Sequence, residues 1–227
     1  MSSSWVIFDA DNTLWDIEKF YDEARVELCA YLSGKGCHRD EVEEFQRRRD
    51  VHLHKTYGYS ACRFPRSFED TVINFLGVNG AESDIVHCRA LALEVFSRTP
   101  SPSDGLEEVL QYIKSRYNVG LITAGERWVQ ERRLREFHLI DEIDAVEIVD
   151  EKTESVFLEF IQKYDLDPSQ SWMVGDSFRS DIKPALEVGL NVFWYRVHNW
   201  NEFENPEVTP NGRVEEIADL RELLTKL

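Results

Sequence analysis

The chain has 227 residues, 42% hydrophobic and 12% aromatic, which suffices for one large domain or for a core with a smaller insertion. A formal net charge of -17 and a pI of about 4.8 exclude the basic surface of a general nucleic-acid binder. No apolar run approaches the roughly 20 residues that cross a bilayer, so no membrane span is expected.

Trp5-Val6-Ile7-Phe8 is a continuous apolar run that stops at Asp9, the pattern of a central strand covered on both faces. From Asp16 to about Thr99 no strand pattern follows. Phe20, Ala24, Leu28 and Leu32 stand at helical spacing, Val42 and Phe45 begin a second helix, Phe68–Leu76 a third and Ile85–Phe96 a fourth. Ser33-Gly34-Lys35-Gly36 and Gly77-Val78-Asn79-Gly80 separate them. This interval reads as an all-helical insertion, with Ser97–Ser103, carrying Pro100 and Pro102, as the return linker. The four cysteines, Cys29, Cys37, Cys62 and Cys88, make no Cys-x-x-Cys pair and read as reduced thiols of a cytoplasmic protein. Nothing at the N-terminus resembles a targeting peptide.

Beyond the linker, strands and helices alternate. Asp104 with Glu107 has the form of a capping box before the stripe Leu106, Val109, Leu110 and Ile113. Val119–Ile122 predicts a strand, Trp128, Val129, Leu134 and Phe137 a helix, and Ile143–Val149 the next strand. Val156, Phe157, Phe160, Ile161 and Tyr164 make another helical stripe, and Pro168 marks the turn into a strand at Trp172–Val174. A short helix with Ala185 and Val188 is stopped by Gly189 before the strand Val192–Tyr195. His198–Gly212 reads as an irregular loop, and Val214–Leu227 as a terminal amphipathic helix.

The alternation predicts an α/β fold: a Rossmann-like sheet of five or six mainly parallel strands between two helical layers. Residues 1–15 and 99–227 form this core, and residues 16–98 the helical insertion.

Ligands of such sheets bind at the carboxyl ends of the strands. Asp9 ends the first strand, with Asp11 two residues on. Thr123-Ala124-Gly125 ends the second, Lys152 opens the helix after the third, and Gly175-Asp176-Ser177, with Asp181 following, ends the fourth. Clustered carboxylates repel one another unless a cation lies between them, and hard oxygen ligands suit magnesium paired with substrate phosphate. The metal ligands are assigned as the Asp9 and Asp176 side chains and the Asp11 backbone carbonyl. Thr123 and Lys152 remain for phosphate oxygens.

Phe8-Asp9-Ala10-Asp11-Asn12-Thr13-Leu14 resembles the first motif of the haloacid dehalogenase superfamily. Leu121-Ile122-Thr123 is similar to its second motif, Lys152 to its third, and Gly175-Asp176 through Asp181 to its fourth. Four motifs in order are far more specific than one Asp-x-Asp, which alone reads as a solvated turn. The insertion stands where the family carries a helical cap that selects substrate. The resemblance implies that Asp9 is the nucleophile forming an aspartyl-phosphate, and that Asp11 protonates the leaving oxygen and then activates water. It implies phosphate contacts from Thr123, Lys152 and the Ala124 position, a magnesium site completed by Asp176, and support from Asp181 outside the ligand set or through Lys152. Family members that dehalogenate lack an aspartate at the Asp11 position. Its presence points to phosphate monoesters, where a leaving alkoxide needs a proton.

Three positions depart from the common pattern: Asn12 stands for Gly, Ala124 for Asn and Thr153 for Pro. Asn tolerates left-handed backbone, so the turn should survive. Ala124 puts a substrate contact in question. Thr153 affects only the helix start. In the cap, His52, His54, Lys55, Tyr57, Arg63 and Arg66 are available, most of them as ordinary surface or packing residues. Arg47-Arg48-Arg49 reads as a solvated helix face, and Trp15 as a residue of the core or of the site entrance. The expected partner is a small phosphorylated metabolite, with the cap opening and closing on hinges at Leu14–Ile17 and Ser97–Ser103. The alternatives are a phosphomutase of the same fold and a non-catalytic phospho-ligand binder. Monomer and dimer are both open.

Overall fold

The computed structural model describes residues 3–78, 82–196 and 213–227. The chain divides into two compact units, residues 1–16 with 100–227, and residues 17–99. The first unit is a parallel sheet. Among the described residues its strands are β1 (Trp5–Phe8), β2 (Asn118–Ala124), β3 (Ala145–Val149), β4 (Trp172–Gly175), β5 (Asn191–Tyr195) and β6 (Val214–Ile217). They lie in the order β3-β2-β1-β4-β5-β6, and every neighbouring pair is parallel.

All four residues of β1 are buried, as the unbroken apolar run requires for a strand with helices on both faces. Trp5 and Ile7 join a core cluster with Ile122, Phe157, Phe160, Met173, Ile182 and Ala185. The helices of this unit are α5 (Leu106–Lys114), α6 (Arg127–Glu136), α7 (Glu154–Lys163), α8 (Lys183–Glu187) and α9 (Leu223–Lys226). Phe157 and Phe160 of α7 are almost fully buried, each contributing on the order of 1.5–3 kcal/mol.

The second unit is helical: α1 (Glu18–Ser33), α2 (Arg39–Tyr57), α3 (Arg63–Leu76) and α4 (Glu82–Glu94), then a 3-10 turn at Val95–Ser97. Its interior carries a polar relay. Arg25 Nε donates to Gln46 Oε1 at 3.2 Å, and Gln46 Nε2 to Ser67 Oγ at 2.8 Å. Arg63 pairs with Asp50 at 2.9 Å, and Arg66 with Glu69 and Asp70 at 3.1 and 3.0 Å. His52 and Lys55 are exposed, as is Tyr57, while the His54 ring meets Tyr59 edge-on. Arg47 and Arg48 are exposed, but Arg49 is held by Asp70 at 2.6 Å. All four cysteines are free thiols. Among the described residues no helix is long and apolar enough to cross a membrane.

Several sequence expectations are corrected. Val214–Leu227 is not one helix but strand β6, a 3-10 turn at Leu220–Glu222 and the four-residue α9. Val214, Ile217, Leu220 and Leu223 have helical spacing. Pairing along the open side of β5 overrides that local pattern. The proposed Asp104–Glu107 capping box is not formed: Gly105, at φ 72°, is the N-cap of α5 and no side chain caps the helix. Trp128 is 54% exposed, and the buried face of α6 is instead Val129, Gln130, Arg133 and Leu134. Of the two places open to Trp15, core or site entrance, it takes the core, 1% exposed against Phe137. Strand β3 begins at Ala145, two residues later than the apolar run, and Lys152 precedes α7, whose N-cap is Thr153. The loop expected at residues 198–212, and Asn79-Gly80 of the second separator, lie outside the described residues.

Candidate active site

The strand order turns back at β1, which has β2 on one side and β4 on the other. In a parallel sheet the loops after these three strands emerge at one edge, and the crevice there is where ligands bind. Asp9 enters this edge directly, its N–H donating to the Val174 carbonyl of β4 at 2.9 Å. The turn that follows is tight. Asn12 takes a left-handed φ of 66° and its N–H donates to the Trp15 carbonyl at 2.7 Å, while Leu14 N–H closes on the Ala10 carbonyl at 2.8 Å. Asparagine is one of the few residues that adopts this backbone without large strain.

Four of the residues singled out in the sequence meet here. Lys152 is 6% exposed, and its Nζ donates to Asp9 Oδ1 and, at 2.6 Å, to Asp181 Oδ1. The other oxygen of Asp181 accepts the Ser177 backbone N–H at 3.0 Å. Asp176 adds a third buried carboxylate, whose Oδ2 has no hydrogen-bond partner. One oxygen from each of Asp9, Asp176 and Asp181 falls within 4.8 Å of the others. Trp194 Nε1 steadies the loop by donating to the Asp176 carbonyl at 2.8 Å.

Three carboxylates against one ammonium leave this buried cluster short of positive charge. Burial pushes the Asp9 carboxyl up from 3.8 to about 7, with the Asp181 and Asp11 charges adding to it and Lys152 pulling the other way. Asp176 is raised well above the ordinary carboxylate range, first by burial, then by the charges of Asp9 and Asp181. Burial works against the Lys152 charge, but the Asp181 and Asp9 carboxylates hold its pKa above the usual lysine value. A divalent cation fits such a set: hard oxygen donors, excess negative charge and the unpartnered Asp176 Oδ2. Asp181 is different, because both its oxygens already accept hydrogen bonds.

The Asp11 carboxylate is held apart from that group. Arg133 Nη1 donates to Oδ1 and Oδ2 at 2.8 and 2.7 Å, Gln130 Nε2 to Oδ2 at 2.8 Å, and Trp15 Nε1 to Oδ1 at 2.6 Å. Gln130 and Arg133 are absent from the residues the sequence singles out, and Trp15 reads there only as a residue of the core or of the site entrance. Their signal was available: Gln130 and Arg133 share a helix face with Val129 and Leu134, so two polar side chains point where an apolar stripe is expected. Thr123 lies at the end of β2, fully buried, and its Oγ1 has no partner. Ala124 follows it, and its carbonyl accepts from Gln130 Nε2 at 3.4 Å.

Comparison with known proteins adds a family to this geometry. Residues 4–189 match the family model of the haloacid dehalogenase-like hydrolases. The chain is 24% identical to glyceraldehyde 3-phosphate phosphatase of Methanopyrus kandleri, over 98% of this chain and 97% of the relative. It is 26% identical to the pyrimidine 5'-nucleotidase YjjG of Escherichia coli, over the whole of both chains. Among solved structures, a haloacid dehalogenase-like family hydrolase from Xanthomonas campestris superposes with a TM-score of 0.79 at 25% identity, covering 99% of this chain and 90% of that one.

Proposed function

The chain belongs to the haloacid dehalogenase-like hydrolases, and from that premise we propose that it is a magnesium-dependent phosphatase of small phosphate monoesters. The observation that carries this reading is the separation of two carboxylates only two residues apart. Asp9 is held by Lys152 in the buried, cation-poor cluster, and Asp11 stands outside it on its own donors. Two carboxylates in contrasting environments suit a division between nucleophile and proton carrier, with a bound cation needed to offset the burial that raises Asp9.

In this reading an Asp9 oxygen attacks phosphorus and the ester P–O bond breaks, leaving an aspartyl-phosphate. Asp11, which must carry a proton when the ester binds, gives it to the departing alcohol oxygen. It then takes one from the water that attacks the same phosphorus, which releases inorganic phosphate and restores the Asp9 carboxylate. Asp9, Asp176 and the Asp11 backbone carbonyl would hold magnesium, which when bound would supply the positive charge that lets a carboxylate approach a phosphate dianion. Lys152 holds Asp9 in place and adds positive charge beside the equatorial oxygens, with Asp181 fixing Lys152. Thr123 Oγ1 and the Thr123-Ala124 turn hold phosphate oxygens.

The relatives named above act on glyceraldehyde 3-phosphate and on pyrimidine 5'-nucleotides. Both are esters of a terminal carbon, whose alkoxide is a poor leaving group without a proton. A primary alkyl phosphate is therefore the substrate class assigned here, and the choice among such esters is assigned to the helical unit, residues 17–99. The test is a panel of sugar phosphates, nucleotides and phosphorylated acids incubated with purified protein and magnesium. Release of inorganic phosphate from at least one primary ester is expected. Isomerised sugar phosphate without release would make the protein a mutase, and tight binding without turnover would make it a non-catalytic binder.

A further inference from the structure

We propose that Arg133 is a positioning residue for the proton carrier: it fixes the Asp11 carboxylate from α6, with Gln130 and Trp15 completing the hold. This inference rests on the phosphatase reading, in which Asp11 serves the leaving group.

The Arg133 side chain is 2% exposed and that of Asp11 22%. The guanidinium is thus anchored in the interior while the carboxylate it grips stays open to a ligand. One Arg133 nitrogen touches both Asp11 oxygens, and Gln130 and Trp15 each take one of them. Three donors from separate side chains leave the carboxylate a single rotamer.

A buried guanidinium is a costly way to fill a helix face. Val129 and Leu134 show that the same face of α6 is otherwise apolar, and a well-packed apolar side chain often serves stability as well as a buried ion pair. The charge stands where Asp11 is. The same segment brings Thr123 to the sheet edge and, through Gln130, ties the Ala124 carbonyl to Asp11. The β2–α6 connection therefore sets both a candidate phosphate contact and the orientation of the acid. A reacting carboxylate misplaced by even about 1 Å loses much of its rate, so a rigid hold has a catalytic consequence.

The experiment compares kcat/KM for a primary alkyl phosphate and for 2,4-dinitrophenyl phosphate, whose leaving group needs no proton. It is run with wild type, Arg133→Met, Arg133→Lys, Gln130→Leu and Asp11→Asn, all with magnesium. Arg133→Met should lower the alkyl value by about tenfold or more while the aryl value changes by less than about threefold. Arg133→Lys should recover most of the alkyl activity. Gln130→Leu should show the same selective loss, about threefold, and carries the test if Arg133→Met does not fold. A parallel fall for both esters, or no change for either, would reduce Arg133 to a packing residue. Selective alkyl loss in Asp11→Asn without it in the Arg133 and Gln130 variants overturns this inference and leaves the phosphatase reading intact. A wild-type protein that cleaves neither ester overturns both.

Discussion

Gly175 lies directly under Asp181: a Cβ placed on the glycine would stand 2.5 Å from the Cβ, Cγ and Oδ2 of the aspartate. Real Cβ atoms do not approach that closely, so any side chain at this position must displace Asp181. Asp181 cannot move freely, because one oxygen holds Lys152 and the other the Ser177 N–H. Gly175→Ala should therefore loosen Lys152 from Asp9 as well as strain the core. We expect a loss of about 1–3 kcal/mol in stability from overpacking. Activity at a temperature where the variant is folded should fall by tenfold or more, roughly the effect of misplacing a reacting group. Urea denaturation together with phosphate-release kinetics checks both. Unchanged kcat in a folded Gly175→Ala protein would show that Asp181 does not hold the lysine for catalysis.

Asp9→Asn addresses the nucleophile itself. An amide cannot form the acyl-phosphate, so turnover should drop by roughly a thousandfold or more. The fold should persist, since Lys152 keeps its contact with Asp181 and the variant removes one of three crowded carboxylates. Circular dichroism should match wild type, and mass spectrometry after a substrate pulse should find no phosphorylated protein. Near-normal phosphate release from this variant would eliminate the covalent route.

Lys152→Met removes the cation that Asp9 and Asp181 share while keeping the length of the side chain. Breaking a buried ion pair on one side costs about 3–5 kcal/mol, so this variant should melt markedly below wild type without magnesium. Magnesium should recover part of the loss by supplying the missing charge. Activity should not return with it, because the ion cannot also take the lysine's place beside the phosphate. Differential scanning calorimetry with and without magnesium, alongside the activity assay, reads the two effects. Full activity in Lys152→Met would remove the lysine from the proposed chemistry.

How much of this was readable in the sequence follows from which forces act locally. The β1 run and Asp9 were legible because a fully buried parallel strand has no polar alternative, and its end is marked by the first charge. Asn12 was legible as a left-handed turn residue from its chemistry alone, and its φ of 66° agrees. The meeting of Asp9, Lys152, Asp176 and Asp181 could be expected because strand ends in a parallel sheet share an edge. The C-terminal strand was not legible, because Val214, Ile217, Leu220 and Leu223 satisfy a helical period and only the neighbour β5 decides otherwise. The Asp11 hold was not found either. Arg133 is 122 positions away in sequence, and a charged residue on a helix reads as surface until its face is known to be buried.

The raised pKa values link stability, pH and metal in one measurable pattern. Without a cation, Asp9 titrates at about 7 in the folded protein against 3.8 for an ordinary aspartate, chiefly because of burial. The folded state then binds the Asp9 proton more tightly than the unfolded chain. Its contribution to stability is complete below pH 4 and is lost as pH rises through about 7. In EDTA the melting temperature should therefore decline between pH 5 and pH 8, and each kcal/mol lost moves it by about 2–4 °C in a chain of this size. Magnesium needs the ionised carboxylates, so protons compete with it. The rise in melting temperature on adding magnesium should be small at pH 5.5 and large at pH 8, following the usual ligand linkage. Asp9→Asn should flatten the EDTA slope and shrink the magnesium effect at pH 8, which separates this site from the general self-repulsion of a chain with net charge -17. A magnesium shift of equal size at both pH values in wild type would mean that the ion binds elsewhere than on the Asp9 cluster.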